Sequence, residues 1–301
     1  MQTRAQSVDL APQELRTLVA VADEGGFSAA GARLGTTQSA VSHAVRGIER
    51  KLGVVLFERG RYGARPTPAG ARAVAHARRV LRMLEVMVAE TRGVQAAVVG
   101  GPLRIAAFRS AALHLLPPVL ERLAVSHPGI EPTVRVVREI GPGTAGEVAR
   151  GRADLGIATV GTGSPVPPGL VGDVLLEEPY ALVHPAGHPA PRSLPLVDWA
   201  ENCSSYTRAW WAAQDWIPAA TVRAEDDGAV LAMVGSGFGM AIMPGLSLTG
   251  APSSIEVTDL GAGRPTRTVG YVTTPELAAT TVVRALVREL RAGRKPQVST
   301  V

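Results

Sequence analysis

The chain has 301 residues, of which 46% are hydrophobic and 19% are charged, and its formal net charge is +5. This length is about twice that of a typical domain, so it predicts two or three compact units and excludes a single small module. No apolar run approaches the ~18 residues of a membrane-spanning helix, and the polar first residues lack a secretory signal, so a cytoplasmic protein is expected. The single cysteine, Cys203, excludes an internal disulfide. No Cys/His set has the spacing of a zinc site, so neither a metal nor a cofactor is expected.

The positive charge is concentrated in the first third of the chain. Residues 1–92 contain 14 Lys and Arg against 8 Asp and Glu, whereas residues 93–301 contain 17 against 18. Within 43–82 the imbalance reaches 10 basic against 2 acidic residues. Such a bias is typical of a surface that meets a polyanion such as nucleic acid, although a solvated helix face that binds nothing would have the same composition.

The N-terminal third predicts three helices in succession. Apolar residues at helical spacing predict a first helix, which Gly25-Gly26 ends. A second short helix, which Ser28 can cap, stops at Gly35. The third helix covers 38–52, and its apolar residues form one buried stripe that consists of Val41, Val45, Ile48 and Leu52.

The opposite face of the third helix carries hydrogen-bonding side chains. They are Gln38, Ser39, Ser42, His43 and Arg46, and Thr37 lies in the turn directly before them. A short helix, a tight turn and a helix with polar early residues are what a helix-turn-helix DNA reader needs, because the first turns of its second helix enter the major groove. Gln and Arg can read base edges, whereas hydroxyl groups hold phosphates. An ordinary amphipathic surface helix is the alternative.

A basic hairpin is predicted after the third helix. Residues 53–70 fit a short strand, a basic tip and a return strand, with Leu56 and Phe57 anchoring the hairpin to the core. Three arginines, Arg59, Arg61 and Arg65, belong to this tip. There they can lie along the phosphates or in the minor groove, so the hairpin is interpreted as a wing beside the recognition helix.

Several short motifs span 15–70 without a gap, among them Gly26-Phe27-Ser28-Ala29-Ala30-Gly31, Thr37-Gln38-Ser39-Ala40-Val41-Ser42, Leu56-Phe57-Glu58-Arg59 and Thr67-Pro68-Ala69-Gly70. Together they resemble the winged helix-turn-helix of LysR-type transcriptional regulators. The resemblance implies DNA contacts from the recognition helix and the wing, by Thr37, Gln38, Ser39, Ser42, His43, Arg46, Arg59 and Arg65. The departures are small: Gly26 stands where Ser is common in the family, and Ser39 where Pro is common.

A long helix is predicted over 67–92. A seven-residue apolar seam of the coiled-coil type runs along it, formed by Val74, Ala77, Leu81, Leu84 and Val88. Packing of this seam against its own domain is the alternative. In LysR-type regulators the partner is the same helix of a second subunit, so the resemblance implies a homodimer through the linker helix, and a homotetramer. Two identical DNA-binding heads also suit two half-sites of an operator.

After Pro102 the pattern changes to short β-branched runs that alternate with helix-like stretches, which predicts an α/β architecture. Motifs such as Gly151 to Ala158 and Gly235 to Pro244 resemble the effector-binding domain of the same family, which has the fold of type 2 periplasmic binding proteins, with two lobes and a cleft. The expected domains are a winged helix-turn-helix over 1–66, a linker helix over 67–92 and an effector-binding domain over 93–301, with lobe one near 101–160 and 269–292 and lobe two near 165–265.

The cleft between the lobes is the expected site of a small-molecule effector. Ligands in open α/β folds lie beyond the carboxyl ends of strands, near helix N-termini. Ser110, directly after the first strand, could hold a carboxylate or another anion, or could simply cap a helix. By position in the resemblance, the cleft is also bordered by Arg109, Gly141, Thr159, Ser204 and Ser205.

Other features are interpreted as structural. The glycines of 235–239 do not open a nucleotide-binding unit, which favours tight packing. His184 and His188 are separated by residues that break helices, which argues against zinc. The tryptophans of 199–216 are interpreted as core or pocket wall. Cys203 has no second cysteine to resolve an oxidised form, and its redox role stays open.

The sequence therefore predicts a bacterial transcriptional regulator whose contacts with double-stranded DNA change when a small, anionic effector occupies the cleft. A solute-binding module for transport would explain 101–301 but not the basic N-terminal third. An enzyme that uses the cleft would need a catalytic set, and none is recognisable. No membrane partner is expected. The effector, the operator and the sign of regulation cannot be deduced from these motifs.

Overall fold

The computed structural model describes residues 9–60, 63–96, 99–161, 164–202 and 205–293. The chain divides into two compact units, Met1–Ala96 with Ala149–Arg152, and Ala97–Val148 with Ala153–Val301. Within the described ranges, no helix is both long and apolar enough to span a membrane.

The first unit is a winged helix-turn-helix followed by a long helix, as predicted. Its elements are α1 (Pro12–Glu24), α2 (Phe27–Leu34), α3 (Gln38–Leu52), β1 (Phe57–Gly60), β2 (Gly63–Pro66) and α4 (Pro68–Ala96). Gly25 ends α1 with a left-handed φ of 66°. Helix α2 begins earlier than predicted, because Phe27 packs against the core from its first turn; Gly26 is the N-cap and Ser28 lies inside the helix.

The apolar stripe of α3 forms the centre of the first unit. Val41, Val45 and Ile48 are at most 2% exposed and pack against residues of α1, α2 and the hairpin. Helix α2 approaches the turn before α3 closely, since a Cβ added at Gly31 would lie 2.9 Å from the carbonyl oxygen of Thr36. This contact fixes α3 against the rest of the unit.

Helix α4 changes its surroundings along its length. Val74 belongs to the core of the first unit and Ala77 is buried, so these two residues of the predicted seam are not available to a partner helix. The exposed apolar side chains farther along the helix are Val80, Met83, Met87, Val88 and Val94. The first turns of α4 thus complete the core of their own unit, which was the alternative for this part of the seam, whereas Val88 of the predicted seam is exposed.

The second unit is a mixed α/β structure built on a curled sheet, in agreement with the predicted fold class. Its strands are β3 (Gly100–Ala107), β4 (Gly129–Val136), β5 (Leu155–Thr159), β6 (Val171–Pro185), β7 (Leu196–Trp199), β8 (Ala220–Ala224), β9 (Ala241–Pro244), β10 (Ile255–Asp259) and β11 (Thr266–Thr273). Its helices are α5 (Leu116–Ser126), α6 (Gly143–Ala149), α7 (Ser205–Ala212), α8 (Asp227–Gly235), α9 (Pro275–Ala278) and α10 (Thr281–Ala292), and a π-helix covers Ala111–Leu115.

Strand β6 runs through both halves of this unit. The main sheet has the order β10-β6-β11-β5-β3-β4, and β9 also pairs with β6. Residues 171–179 of β6 pair with β11, whereas 181–185 pair with β10 and 180–183 with β9. The first part of β6, which the sequence assigned to lobe two, is thus hydrogen-bonded to the sheet of lobe one through β11. The paired strands β6 and β11 therefore position the side chains that lie between the two halves of the second unit.

Candidate DNA-binding surface and effector cavity

The start of α3 presents the predicted polar residues to solvent. Thr37 is the N-cap, and its Oγ1 accepts a hydrogen bond from the backbone N–H of Ala40 at 3.1 Å and lies 3.0 Å from Ser39 Oγ. The side chains of Gln38, Ser39 and His43 are exposed. The hydroxyl of Thr37 therefore holds the helix end, while its neighbours are free to meet a groove.

Ser42 departs from the predicted role of a direct contact. It is 4% exposed, because two arginine side chains cover its hydroxyl. Arg46 Nη2 donates to Ser42 Oγ at 3.2 Å, and Arg59 Nη1 donates to the same oxygen at 3.1 Å. Arg46 and Arg59 are themselves exposed.

The two wing arginines lie on opposite faces of the hairpin. In the β1–β2 register Arg59 pairs with Ala64, and Arg65 pairs with Glu58. Since successive residues of a strand point to opposite faces, Arg59 shares the face of buried Ala64 and Arg65 the other. The guanidinium carbon of Arg59 lies 4.7 Å from the ring centroid of Phe27, an aromatic partner that sequence reasoning did not assign to the site. Arg61 lies outside the described residues.

Carboxylates neutralise basic residues elsewhere on the first unit. Arg33 contacts Asp23 and Glu24, each at 3.1 Å, and the hydrogen bond that Arg33 donates to Asp23 raises the pKa of Arg33. Lys51 contacts Glu14 at 2.8 Å and lowers the pKa of that carboxyl by its hydrogen bond. In the described part of the chain, neither the two arginines over Ser42 nor Arg65 has such a carboxylate partner.

The second unit contains a cavity of about 360 Å³. Polar residues of its wall include Glu139, Thr159, Ser164, Tyr180, Glu201 and Arg267, and apolar residues include Ile140, Pro142, Ala158 and Val160. Of the predicted effector residues that the structure describes with their surroundings, Gly141 and Thr159 belong to this wall, whereas Arg109 and Ser110 do not. Ser204 lies outside the described residues. Ser205 is the first residue of α7, and only its backbone is described.

Arg109 and Ser110 have other partners. Arg109 Nη1 lies 2.8 Å from Asp227 Oδ1 at the start of α8. Ser110 is 1% exposed, makes no capping hydrogen bond, and accepts from Arg267 Nη2 at 3.4 Å. The chain continues into the π-helix after Ser110, which holds its hydroxyl inside the unit rather than on the cavity wall.

Glu139 organises one side of the cavity. Its Oε1 accepts from the backbone N–H of Thr159 at 3.0 Å, and its Oε2 accepts from the N–H and Oγ1 of Thr144 at 2.9 and 3.0 Å. Burial raises the pKa of Glu139, and the hydrogen bonds from Thr144 and Thr159 oppose this rise. The carboxylate thus joins the end of β5 to the start of α6.

Ion pairs connect the two halves of the second unit near the cavity. Arg138 Nε lies 3.2 Å from Glu201 Oε1, and burial raises the pKa of Glu201 while this hydrogen bond lowers it. On the crossing strands, Arg267 Nε donates to Glu178 Oε1 at 2.7 Å, and both side chains are largely buried. The guanidinium of Arg267 also lies 4.6 Å from the ring centroid of Phe108.

The features interpreted as structural have packing roles. A Cβ added at Gly239 would lie 2.2 Å from the carbonyl oxygen of Pro195, as expected for close packing. Buried His184 is hydrogen-bonded to Thr258 through Nε2 at 2.8 Å. Trp210, Trp211 and Trp216 pack against the core of the second unit. Among the described residues, no group of three His, Cys, Asp or Glu could hold a metal ion. Cys203 lies outside that part of the chain.

Comparison with known proteins gives matches along most of the chain. Residues 12–71 match the model of the bacterial regulatory helix-turn-helix protein, lysR family, and residues 96–295 match that of the LysR substrate binding domain. The probable HTH-type transcriptional regulator LrrA of Synechococcus elongatus is 33% identical over 260 residues, which cover 82% of this chain and 85% of the relative.

Two solved structures share the fold of nearly the whole chain. ArgP from Mycobacterium tuberculosis superposes with a TM-score of 0.71 at 20% identity, covering 94% of this chain and 97% of ArgP. Full-length LysG from Corynebacterium glutamicum with bound effector Arg has a TM-score of 0.64 at 20% identity, covering 95% and 100% of the two chains. At these identities the likeness establishes a common fold.

Proposed function

Because the chain belongs to the LysR family of bacterial transcriptional regulators, we propose that the exposed face of α3 and the wing bind operator DNA. The predicted function, a DNA-binding regulator controlled by an effector and not an enzyme, is confirmed by this membership. The proposed contact residues are Thr37, Gln38, Ser39, His43, Arg46, Arg59 and Arg65, whereas Ser42, also predicted as a contact, is buried beneath two of these arginines. The observation that carries the proposal is the exposure of Gln38, Ser39 and His43 together on α3, beside arginines without a carboxylate partner in the described chain.

Selection from a random duplex pool tests this assignment. The full chain should enrich one sequence with two related half-sites, and Gln38→Ala should lower the preference for that sequence over a scrambled duplex. A bidentate base contact contributes about 1–3 kcal/mol of discrimination, so the expected loss is roughly 5- to 150-fold. Arg284→Ala is the control, because Arg284 is exposed on α10 of the other unit. Retention of full sequence preference by the Gln38 variant would contradict the proposed face.

We further propose that the effector binds in the 360 Å³ cavity of the second unit. This volume is near the lower end of the roughly 300–1,000 Å³ of small-molecule sites, which favours a small ligand. Gly141 and Thr159 are the predicted residues that support this location. The predicted anionic effector would meet Arg267, the cationic residue of the described wall, but Arg267 is paired with Glu178 and the wall also carries Glu139 and Glu201, so the lining gives that part of the prediction no support.

A cavity-filling variant tests this location. Ala145 of α6 lines the cavity, whereas Ala292 of α10 is exposed, so Ala145→Leu and Ala292→Leu add the same atoms inside and outside it. A panel of carboxylic acids, amino acids and amines is screened for ligands that raise the melting temperature of the full chain. The Ala145 variant should lose the shift produced by the best ligand, and the Ala292 variant should keep it. A shift that survives in both variants would place the ligand elsewhere.

The proposed assembly is a homodimer through α4, and a homotetramer. Support for the first contact comes from the exposed stripe that includes Val80, Met83 and Met87. A second exposed apolar surface, with Val134 and Val136 on edge strand β4, supports a further contact between subunits. Met87→Glu should lower the mass measured by sedimentation by half, and an unchanged mass would contradict the role of α4.

A bacterial regulator of this kind binds chromosomal DNA, so we propose that it acts in the cytoplasm.

A further inference from the structure

Two arginines from different elements converge on one buried hydroxyl. Ser42 lies on α3 and is 4% exposed, although Gln38 and His43 on the same helix are open to solvent. Its Oγ accepts from Arg46 Nη2 at 3.2 Å and from Arg59 Nη1 at 3.1 Å. Arg46 comes from the next turn of α3 and Arg59 from the wing. The hydroxyl thus sets the distance between two positive groups.

Aromatic contacts fix the wing side of this arrangement. The guanidinium of Arg59 lies over the ring of Phe27 at 4.7 Å, and Phe27 meets Phe57 edge to face at 6.4 Å between centroids. Phe57 is 3% exposed, so this stack is anchored in the core. A cation over an aromatic face is held by the ring quadrupole. Arg59 is therefore oriented before any ligand arrives.

The arrangement is incomplete as it stands. Two guanidinium groups that share a neutral acceptor repel each other, and in the described chain neither Arg46 nor Arg59 has a carboxylate partner. An anion placed between them would remove the repulsion and could accept hydrogen bonds from both planar forks. On an exposed DNA-binding face, the anion of matching chemistry is a phosphodiester.

We propose that Arg46 and Arg59 bind one and the same backbone phosphate of the operator, and that Ser42 is the positioning residue that holds them together. The proposal rests on the proposed DNA-binding face and assigns roles within it. Arg46 and Arg59 then fix the register of α3 on the duplex without reading sequence, because phosphate contacts position and base contacts specify. Base reading is left to the exposed residues of the first turns, Gln38, Ser39 and His43.

The salt dependence of binding tests whether the phosphate is shared. Affinity of the full chain for a random-sequence duplex and for a duplex selected from a random pool is measured over a series of salt concentrations. Each neutralised phosphate contributes about 0.9 to the slope of log K against log salt. The proposed dimer places two DNA-binding heads on the duplex, each with one shared phosphate, so the double variant Arg46→Ala/Arg59→Ala should lower the slope by about two on both duplexes. A decrease of about four would mean separate phosphates, and an unchanged slope with loss confined to the selected duplex would mean that Arg46 reads a base; either result overturns the proposal.

Variants of Ser42 test the positioning role. Ser42→Ala should lower the slope of log K against log salt on both duplexes, although both arginines remain. In the wild-type background the affinity losses of Arg46→Ala and Arg59→Ala should be coupled, and in the Ser42→Ala background they should become additive. Ser42→Thr keeps the hydroxyl and should restore the coupling. Unchanged coupling in Ser42→Ala with an unchanged melting temperature would refute the role of Ser42. If the wild type does not prefer its selected duplex, sequence-specific reading by the exposed face of α3 is refuted. If the wild type has the normal preference but the salt slopes of the arginine and Ser42 variants are unaltered, only the shared phosphate is refuted.

Discussion

Glu139→Gln perturbs the wall of the cavity with little change of shape. In the wild type, Oε1 accepts from the N–H of Thr159, and Oε2 accepts from both the N–H and Oγ1 of Thr144. A glutamine amide has one acceptor oxygen and one NH₂ group that can only donate. Whichever way the amide turns, at least one backbone N–H of the wild-type arrangement therefore faces another donor.

The expected cost follows from these contacts. A hydrogen bond to a charged group contributes about 1.5–3 kcal/mol, and a buried N–H left without an acceptor costs about 1–3 kcal/mol. Glutamine offsets part of this, since it removes the burial of charge that raises the pKa of Glu139. We expect a net loss of about 2 kcal/mol in the free energy of unfolding at neutral pH, which corresponds to roughly 4–8 °C in Tm for a unit of this size.

The loss should depend on pH with a defined sign. Because the pKa of Glu139 is raised in the folded state, the folded protein binds the proton more tightly than the unfolded chain. The stability of the wild type therefore falls as pH rises from the usual glutamate pKa through the raised value. Glutamine does not titrate, so the difference between wild type and variant should be largest on the acidic side and should shrink as pH rises.

Thermal melting of the full chain, followed by circular dichroism at several pH values, measures both effects. Thr144→Val is the control, because it removes the hydroxyl donor to Glu139 but keeps the backbone N–H; about 1 kcal/mol is expected for it. Equal melting temperatures of wild type and Glu139→Gln at neutral pH, or a difference that grows as pH rises, would refute this account of the cavity wall.

Three further predictions concern single contacts, and the first two of them use matched variants. Gly31→Ala should destabilise the first unit by about 1–3 kcal/mol, because the added methyl group overpacks against the turn before α3. Gly47→Ala should instead stabilise α3, because the nearest neighbour of the added methyl group is the flexible end of an arginine side chain at 3.8 Å. The melting temperature should therefore fall in the first variant and rise in the second. Glu178→Gln should lower the free energy of unfolding by about 3 kcal/mol, because it breaks the largely buried ion pair with Arg267 of β11. Arg138→Gln breaks the half-exposed pair with Glu201 and should lower it by less than about 1 kcal/mol in the same assay. Phe27→Leu should weaken binding to random and selected duplexes equally, since it removes the ring under the wing arginine; loss confined to the selected duplex would contradict that.

Local patterns were sufficient to predict the first unit. The apolar stripe of α3 and the glycine that ends α1 depend on neighbours within a few residues, and both appear as predicted. The start of the predicted α4 seam is covered for a tertiary reason, because Val74 and Ala77 are buried within their own unit, whereas Val88 of the same seam is exposed. A heptad pattern in the sequence does not show which turns of the helix are buried against their own domain.

The roles of single polar residues were less predictable, because their partners are distant in sequence. Ser42 is covered by an arginine seventeen residues away, and Ser110 accepts from Arg267, which is 157 residues away. A serine after a strand has the same local signature whether it faces a ligand or a buried arginine. Thr159 ends β5 and Gly141 comes a few residues after β4 of the same sheet, and both lie on the cavity wall, as the family resemblance implied. The predictions for Ser204 and Ser205 stay predictions.

Among the described residues, several arginines of the second unit differ from those of α3 and the wing in having carboxylate partners. In the second unit, Arg109, Arg122 and Arg291 each lie within 3.2 Å of a carboxylate oxygen, so their charges are largely balanced where they stand. The arginines of the wing and of α3 lack such partners in the described chain, so their field reaches solvent. Counterion release depends on cations that meet phosphates, not on net charge. Arg291→Gln should therefore leave the salt slope of DNA binding unchanged although it removes as much formal charge as Arg65→Gln, which should lower it; equal slopes for the two variants would mean that net charge alone governs the attraction.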